Sequence, residues 1–453
     1  MPDQRKTLSL DKERIPKLLF RYAAPAIISM TAASLFNLAD VIFIGKGVNA
    51  MAIAGLSLTL PLMNISAAFG SLIGVGASTL ISVKLGQKDV QTAEVALGNA
   101  VTLNTIIGII YTIVALIFLD SVLYFFGASE QTVPYAREYM QIILGGNVIT
   151  HIYYGLNDNL RASGYPKKAM AATLTAVGVN IILDPLFIFG FRWGIRGAAV
   201  ATVLAQVVAL IILLNHYSSK QSLLHFKKGI FIIQKGMPRN IISVGLAPFL
   251  MNIVSSLVII IINRSFFHFG GDYAVGAYGI ANRMISFFVM IMFGFNQGMQ
   301  PLVGFNYGAR QYKRVSEIFK LTLLCSFGVS VLAFIIAQFF PVMAVSLFTN
   351  DPTLARLTVE GLHIDLAVFP LVSLSMVTSS FFQSIRKPGK AIFLSLTRQV
   401  IFLIPSLLIL PRFFGVTGVW ASMPVSDAAS FVVAAILITK QMKEFRKDYE
   451  RYR

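Results

Sequence analysis

Twelve long apolar runs, separated by short polar and basic segments, follow one another along this chain. Each run reaches the roughly 20 residues that a helix needs to cross the hydrocarbon core of a bilayer at about 1.5 Å per residue. The pattern predicts helices over 18–45, 53–83, 93–119, 134–159, 169–191, 197–216, 241–266, 276–304, 316–344, 357–383, 390–411 and 416–439. The expected fold class is all-α: a polytopic membrane protein with 12 transmembrane helices in two pseudo-symmetric six-helix lobes.

Composition agrees. Of 453 residues, 56% are hydrophobic and 13% charged, against about 25% charged in soluble domains. The formal net charge of +18 could suit nucleic acid, but the basic residues sit in clusters between apolar runs, without interleaved aromatics. That placement follows the positive-inside rule, so no nucleic-acid partner is expected. Segments predicted to lie inside hold 28 Lys and Arg, those outside hold seven, and three lie within spans (Arg21, Arg283, Arg398). This asymmetry predicts an even number of helices with both termini cytoplasmic. The polar, basic N-terminus leads into a full-length apolar run and is read as a retained first helix, not a signal peptide. The basic tail from Lys440 suits anionic lipid.

The single cysteine, Cys325, and five scattered histidines give no disulfide and no metal-ligand spacing. Nucleotide-binding, zinc-protease and serine-hydrolase signatures are absent. The chain is expected not to be an enzyme and to need no cofactor; any pumping would draw on an ion gradient.

The chain also matches itself at an offset near 222. LGQKD (Leu85–Asp89) lies over YGARQ (Tyr307–Gln311), and SGYPKKA (Ser163–Ala169) over IRKPGKA (Ile385–Ala391). GIRGAAVATVLAQ (Gly194–Gln206) lies over GVTGVWASMPVSD (Gly415–Asp427). Two parallel six-helix halves follow, an organisation found in transporters. The boundaries predicted are an N-terminal lobe at 1–216, a cytoplasmic linker at 217–240 and a C-terminal lobe with its basic tail at 241–453. The halves differ in one respect. Positions matching Asp40 and Asp184 read IIINRS and LIPSLL, without an acid. Buried acids, and the chemistry they carry, are therefore expected in the first half only.

Acids inside membrane helices are costly and are most often functional. In NIILDPLFIFG, Asp184 stands about 24 Å along a helix from Lys168, and Asp40 is near the outer end of the first span. The two can share one depth. Asn180 is one turn before Asp184 on the same face, and Thr202 is two turns inside the outer end of span 6. Two carboxylates, an amide and a hydroxyl can hold a proton or a small cation, so Na+ at Asp40, Asn180, Asp184 and Thr202 is the one ion site foreseen. Arg283 and Arg398 can snorkel to the interface; Arg283 is also a candidate for a substrate network. His151 is read as a packing residue, and Asp158 with Arg161 as a local pair.

The stretches LFNLADVIFIGKG, AIAGLSLTLP, LRASGYPKKAM, NIILDPLFIFG, GAYGIANRM and GFNYGARQ together resemble the MATE (multidrug and toxic compound extrusion) family, in its MepA-like bacterial branch. The resemblance runs from about Leu18 to Lys440. It implies a cation-coupled antiporter, driven by H+ or Na+, that exports lipophilic and often cationic drugs across the bacterial cytoplasmic (inner) membrane by alternating access, with a monomer expected and membrane lipid as its other partner. Asp40, Asn180, Asp184 and Thr202 match cation-coupling positions of such relatives, and Tyr139 and Asn157 match polar positions near them. The expected second-lobe aspartate of span 10 is missing from LAVFPLVSLSMVTSSFF. A lipid-linked precursor flippase of the same broad superfamily is the alternative.

Overall fold

A computed structural model describes residue 10 and residues 12–48, 50–126 and 128–451. Among the described residues the regular structure is helical. In chain order the helices are α1 (Ile15–Gly47), α2 (Ala50–Gly86), α3 (Val90–Ile117), α4 (Leu119–Phe125), α5 (Val133–Gly145), α6 (Asn147–Ala162) and α7 (Pro166–Pro185). There follow α8 (Ile195–Ser218), α9 (Met237–Gly308), α10 (Tyr312–Phe339), α11 (Pro341–Val345), α12 (Pro352–Asp365), α13 (Phe369–Ser384), α14 (Pro388–Leu396) and α15 (Ile404–Arg451). Two π turns, Leu186–Gly190 after α7 and Thr397–Leu403 after α14, interrupt this series.

Nine of the described helical stretches are long and apolar enough to cross a membrane. Two are far too long to do so once. The 72 residues of α9 would reach about 108 Å at 1.5 Å per residue, and the chain turns within α9 at Gly271 (φ 67°, ψ −163°). The stretch from Pro388 to Lys447 turns at Gly415. Each supplies two passes. A further pass is divided into α5 and α6, of 13 and 16 residues, where Gly145 and Gly146 weaken the helix. Counted so, the twelve expected spans are all present.

The internal repeat is written in the backbone. Gly194 and Gly415, matched in sequence, share φ 57° and ψ −136°, a region open to glycine because it has no Cβ. The same offset pairs two non-glycine residues at positive φ, Lys88 (62°) and Arg310 (59°). It also pairs the residues before α7 and α14, Tyr165 (φ −117°, ψ 53°) and Lys387 (φ −107°, ψ 64°), each followed by a proline at the first helical position. The matched turns thus start matched helices at the same angle.

Close packing divides the chain into two compact units, one containing Ile28–Phe249, the other Arg14–Ile27 and the chain from Leu250 onward. Glycines explain the exchange of segments. In the first unit, Gly245 lies so close to α2 that a Cβ there would stand 1.7 Å from the Leu72 carbonyl oxygen. In the second, a Cβ on Gly298 would stand 2.6 Å from the Ala23 nitrogen. Residues 241–249 therefore pack with the first unit and 14–27 with the second, whereas the repeat suggested boundaries at 216 and 241.

Candidate functional site

The site forms where four helices of the first unit meet. Helix α7 carries Asn180 and Asp184 one turn apart, as spacing predicts, and the Asn180 Nδ2 donates to Asp184 Oδ1 at 2.7 Å. Pro185 follows at once. A proline inside a helix has no N–H and disturbs the turn before it, and here the α-helix gives way to the π turn Leu186–Gly190. Gly197 lets α8 close on that turn: a Cβ there would stand 2.9 Å from the Phe187 carbonyl carbon.

Asp184 is fully buried and Asp40, on α1, is 6% exposed. The two carboxylates interact electrostatically. Tyr139 of α5, buried at 2% exposure, interacts with both of them and shares a side-chain hydrogen bond with Thr202. The Thr202 hydroxyl also donates to the Ala198 carbonyl at 3.0 Å. Around this group lies an apolar cluster that includes Ile44, Leu56, Met140, Leu144, Ile188 and Ala198.

One oxygen of each acid, Asp40 Oδ1 and Asp184 Oδ2, is buried without a hydrogen-bond partner. Buried polar atoms are normally satisfied, and a carboxylate accepts only when ionised but gains a donor when protonated. Two acids with idle oxygens can therefore share a proton or coordinate a small hard cation, with Thr202 and the Asn180 carbonyl oxygen as neutral donors. Among the described residues no cluster of three or more His, Cys, Asp or Glu side chains suits a metal ion.

The structure thus gathers Asp40, Asn180, Asp184, Thr202 and Tyr139. It does not bring Asn157 to them. The Asn157 amide donates to the Ala169 carbonyl at 3.0 Å, and Ala169 lies about 22 Å along α7 from Asp184. Arg283 is exposed and belongs to the second unit. His151 is buried with Ser66 Oγ 3.0 Å from its Nε2, while its Nδ1 has no partner. One residue before it, Thr150 bonds Gln206, one turn beyond Thr202 on α8, so polar contacts continue past the acid site.

The expectation that only the first half buries acids is overturned. In the second unit Asp427 (4% exposed) and Asp365 (8%) are both buried. Arg398, on the π turn Thr397–Leu403, donates from Nε to Asp427 Oδ1 at 2.6 Å, and Asp365 interacts electrostatically with both. Sequence reading left Arg398 to snorkel because its partner is on another helix, 29 residues away. A signal was present: the repeat lays Asp427 over Gln206, a position already facing the interior of the first unit. Asp158 and Arg161 do form the expected local pair.

An α-helical, polytopic membrane protein of two repeated units, with a carboxylate pair enclosed in the first, is the class that the fold and site define. The MatE family model matches residues 25–186 and 248–408, more than half of the chain, and the chain belongs to that family. It is 26% identical over 430 residues to the multidrug export protein MepA of Staphylococcus haemolyticus strain JCSC1435, covering 94% of each chain. To MepA of Staphylococcus aureus strain MRSA252 it is 27% identical over 429 residues, again at 94% coverage of each. Among solved structures, a MATE in the straight conformation superposes with a TM-score of 0.91 at 25% identity, over 97% of this chain and 98% of that one. The outward-facing conformation of a multidrug resistance MATE family transporter of the MOP superfamily gives 0.91 at 24%, with the same coverage.

Proposed function

We propose that this protein is a secondary antiporter that exports lipophilic organic cations across the bacterial cytoplasmic membrane, driven by H+ or Na+ entering through the Asp40–Asp184 site. The observation that carries this reading is the pair of enclosed carboxylates, each with an idle oxygen and, among the described residues, neither in an ion pair with a basic side chain. The MepA relatives, described as multidrug export proteins, supply the substrate class. The excess of Lys and Arg in alternate loops supports cytoplasmic termini.

Two like charges in one poorly solvated place repel, so the pair binds a counter-charge readily and titrates as a unit. With the site empty, the acids leave the first unit two charges more negative than with two protons bound. An organic cation is attracted to that state. Entry of the coupling ion neutralises the pair, removes the attraction and lets the helices around Pro185 repack; the drug is released and the cycle continues by alternating access. Exchange of two coupling ions for one singly charged cargo moves one net charge, and a single charge crossing 100 mV releases about 2.3 kcal/mol, equivalent to roughly a fiftyfold gradient of cargo. Tyr139 and Thr202 hold the neutral side of the site in place.

Reconstitution tests this. Liposomes bearing an inward gradient of H+ or Na+ should show drug movement against its own gradient, with ion flux that starts only when drug is added. Drug movement that persists with both gradients collapsed would refute coupling.

A further inference from the structure

The segment joining the two halves contains five basic residues and no acid between positions 217 and 240. It is not a free tether. Asn99 of α3, fully buried, donates to the carbonyls of Ile230 at 2.9 Å and Ile232 at 3.0 Å. Its own Oδ1 accepts from the Gln234 backbone N–H at 3.1 Å. Thr102 donates to the Phe231 carbonyl at 2.8 Å. A Cβ on Gly98 would stand 2.3 Å from the Ile230 oxygen, so only glycine admits the strand of backbone lying there. Lower on α3, Lys227 donates to Glu94 at 2.6 Å.

These contacts set both depth and direction. Along α3 from its start at Val90, Glu94 stands at about 6 Å, Asn99 at about 14 Å and Thr102 at about 18 Å. The segment climbs from Lys227 to a tip at Phe231 and returns at Gln234. Because the clamp uses main-chain atoms, the side chains at the tip are turned outward: Phe231 is 40% exposed, Ile232 71% and Ile233 43%. One turn beyond Thr102, α3 itself begins an exposed apolar row at Ile106, Ile109, Ile110 and Ile113, as a lipid-facing surface requires. The tip is continuous in height with that row. Flanking it in sequence, Lys228, Lys235 and Arg239 are exposed.

We propose that Lys227–Arg239 is an interfacial wedge. Phe231, Ile232 and Ile233 enter the acyl boundary of the leaflet on the linker's side, and Lys228, Lys235 and Arg239 bind the phosphates of anionic phospholipid. Apolar side chains below a basic rim are how surface-bound segments engage lipid, and each basic residue near an anionic surface strengthens binding about fivefold. Lys227 is occupied by Glu94 and takes no part. The proposal does not depend on the transport reading.

The test uses Ile232→Trp in the full-length protein, reconstituted into vesicles of phosphatidylcholine and phosphatidylglycerol in which one or the other lipid carries brominated chains. Emission of the parent, with its two tryptophans, is subtracted. The wedge predicts quenching by both brominated lipids, at least twofold stronger for phosphatidylglycerol. The triple variant Lys228→Gln/Lys235→Gln/Arg239→Gln should bring the ratio to one. Millimolar inorganic phosphate should leave the Ile232→Trp ratio unchanged; its collapse would assign the basic rim to free phosphate and overturn lipid binding. Absence of quenching by either lipid, as in water or under a covering protein, also overturns it, as does equal quenching before the triple change. Should Ile232→Trp elute as aggregate, Ile233→Trp serves in its place.

Discussion

Each unit of this protein buries a pair of aspartates, and the two pairs are kept in different company. Asp40 and Asp184 in the first unit have an amide, a hydroxyl and a phenol around them, and each retains an idle oxygen. Asp427 in the second is held by the Arg398 guanidinium at 2.6 Å, with Asp365 close to both. A carboxylate with neutral partners can gain or lose a proton, or exchange it for a cation, without breaking an ion pair. A carboxylate bonded to a guanidinium keeps its charge, because protonating it gives up a charge-assisted hydrogen bond. On the proposed function, the same repeat carries a responsive acid site in one half and a fixed charge arrangement in the other. Shared backbone turns, such as Gly194 and Gly415, build both frames; the side chains alone divide the roles.

That division can be broken from either side. The largest effect is expected from Asp184→Asn, which keeps the size of the side chain and removes its charge change. Coupled export in liposomes should fall to background while the protein still elutes as a folded, monodisperse species. Next comes Arg398→Met. The change leaves the buried Asp427 carboxylate without its partner while the half-exposed guanidinium is lost, so thermal unfolding in detergent should be shifted downward, by less than the roughly 3–5 kcal/mol of a fully buried pair. The double variant Arg398→Met/Asp427→Leu should regain most of that stability and transport within a few-fold of the parent, since the carboxylate that Arg398 bonds is removed together with it. Loss of export in a well-folded double variant would give the second unit a working role and end the comparison as drawn. The smallest effect is expected of Thr202→Val, which removes one neutral oxygen together with its hydrogen bonds to Tyr139 and the Ala198 carbonyl; with the oxygen worth about 1 kcal/mol to the ion, ion affinity at the site should weaken by roughly fivefold, read from the ion dependence of drug transport.

The spans were legible because a bilayer leaves helices few alternatives: every backbone group must be satisfied within its own segment, and the apolar runs declare themselves. Loops and repeats were legible through glycine, proline and lysine. The acid cluster was partly legible, since Asn180 and Asp184 fall one turn apart whatever the tertiary fold, while Asp40 and Thr202 could be placed only by depth. The orientation of a helix apolar on all sides is not written in its own periodicity. The family resemblance alone sets Asn157 near the site, whereas its amide faces Ala169 and Thr173, and no local pattern pairs Arg398 with Asp427. The division of span 4 at Gly145 and Gly146 and the π turn behind Pro185 each carry a local mark, but whether a glycine pair or a proline interrupts a helix depends on how neighbouring helices pack.

The central claim is that Asp40 and Asp184 form one ion-responsive site that competes with a cationic cargo. By linkage, cargo and coupling ion must each lower the apparent affinity of the other. Equilibrium binding of a fluorescent lipophilic cation to the purified protein, across pH and with and without sodium, measures this directly for the parent, Asp40→Asn and Asp184→Asn. The account predicts that binding weakens as pH falls or sodium rises in the parent, and that the dependence flattens in both variants. An ion dependence unchanged in both variants would contradict it and leave these acids as hydrogen-bonding groups of the fold.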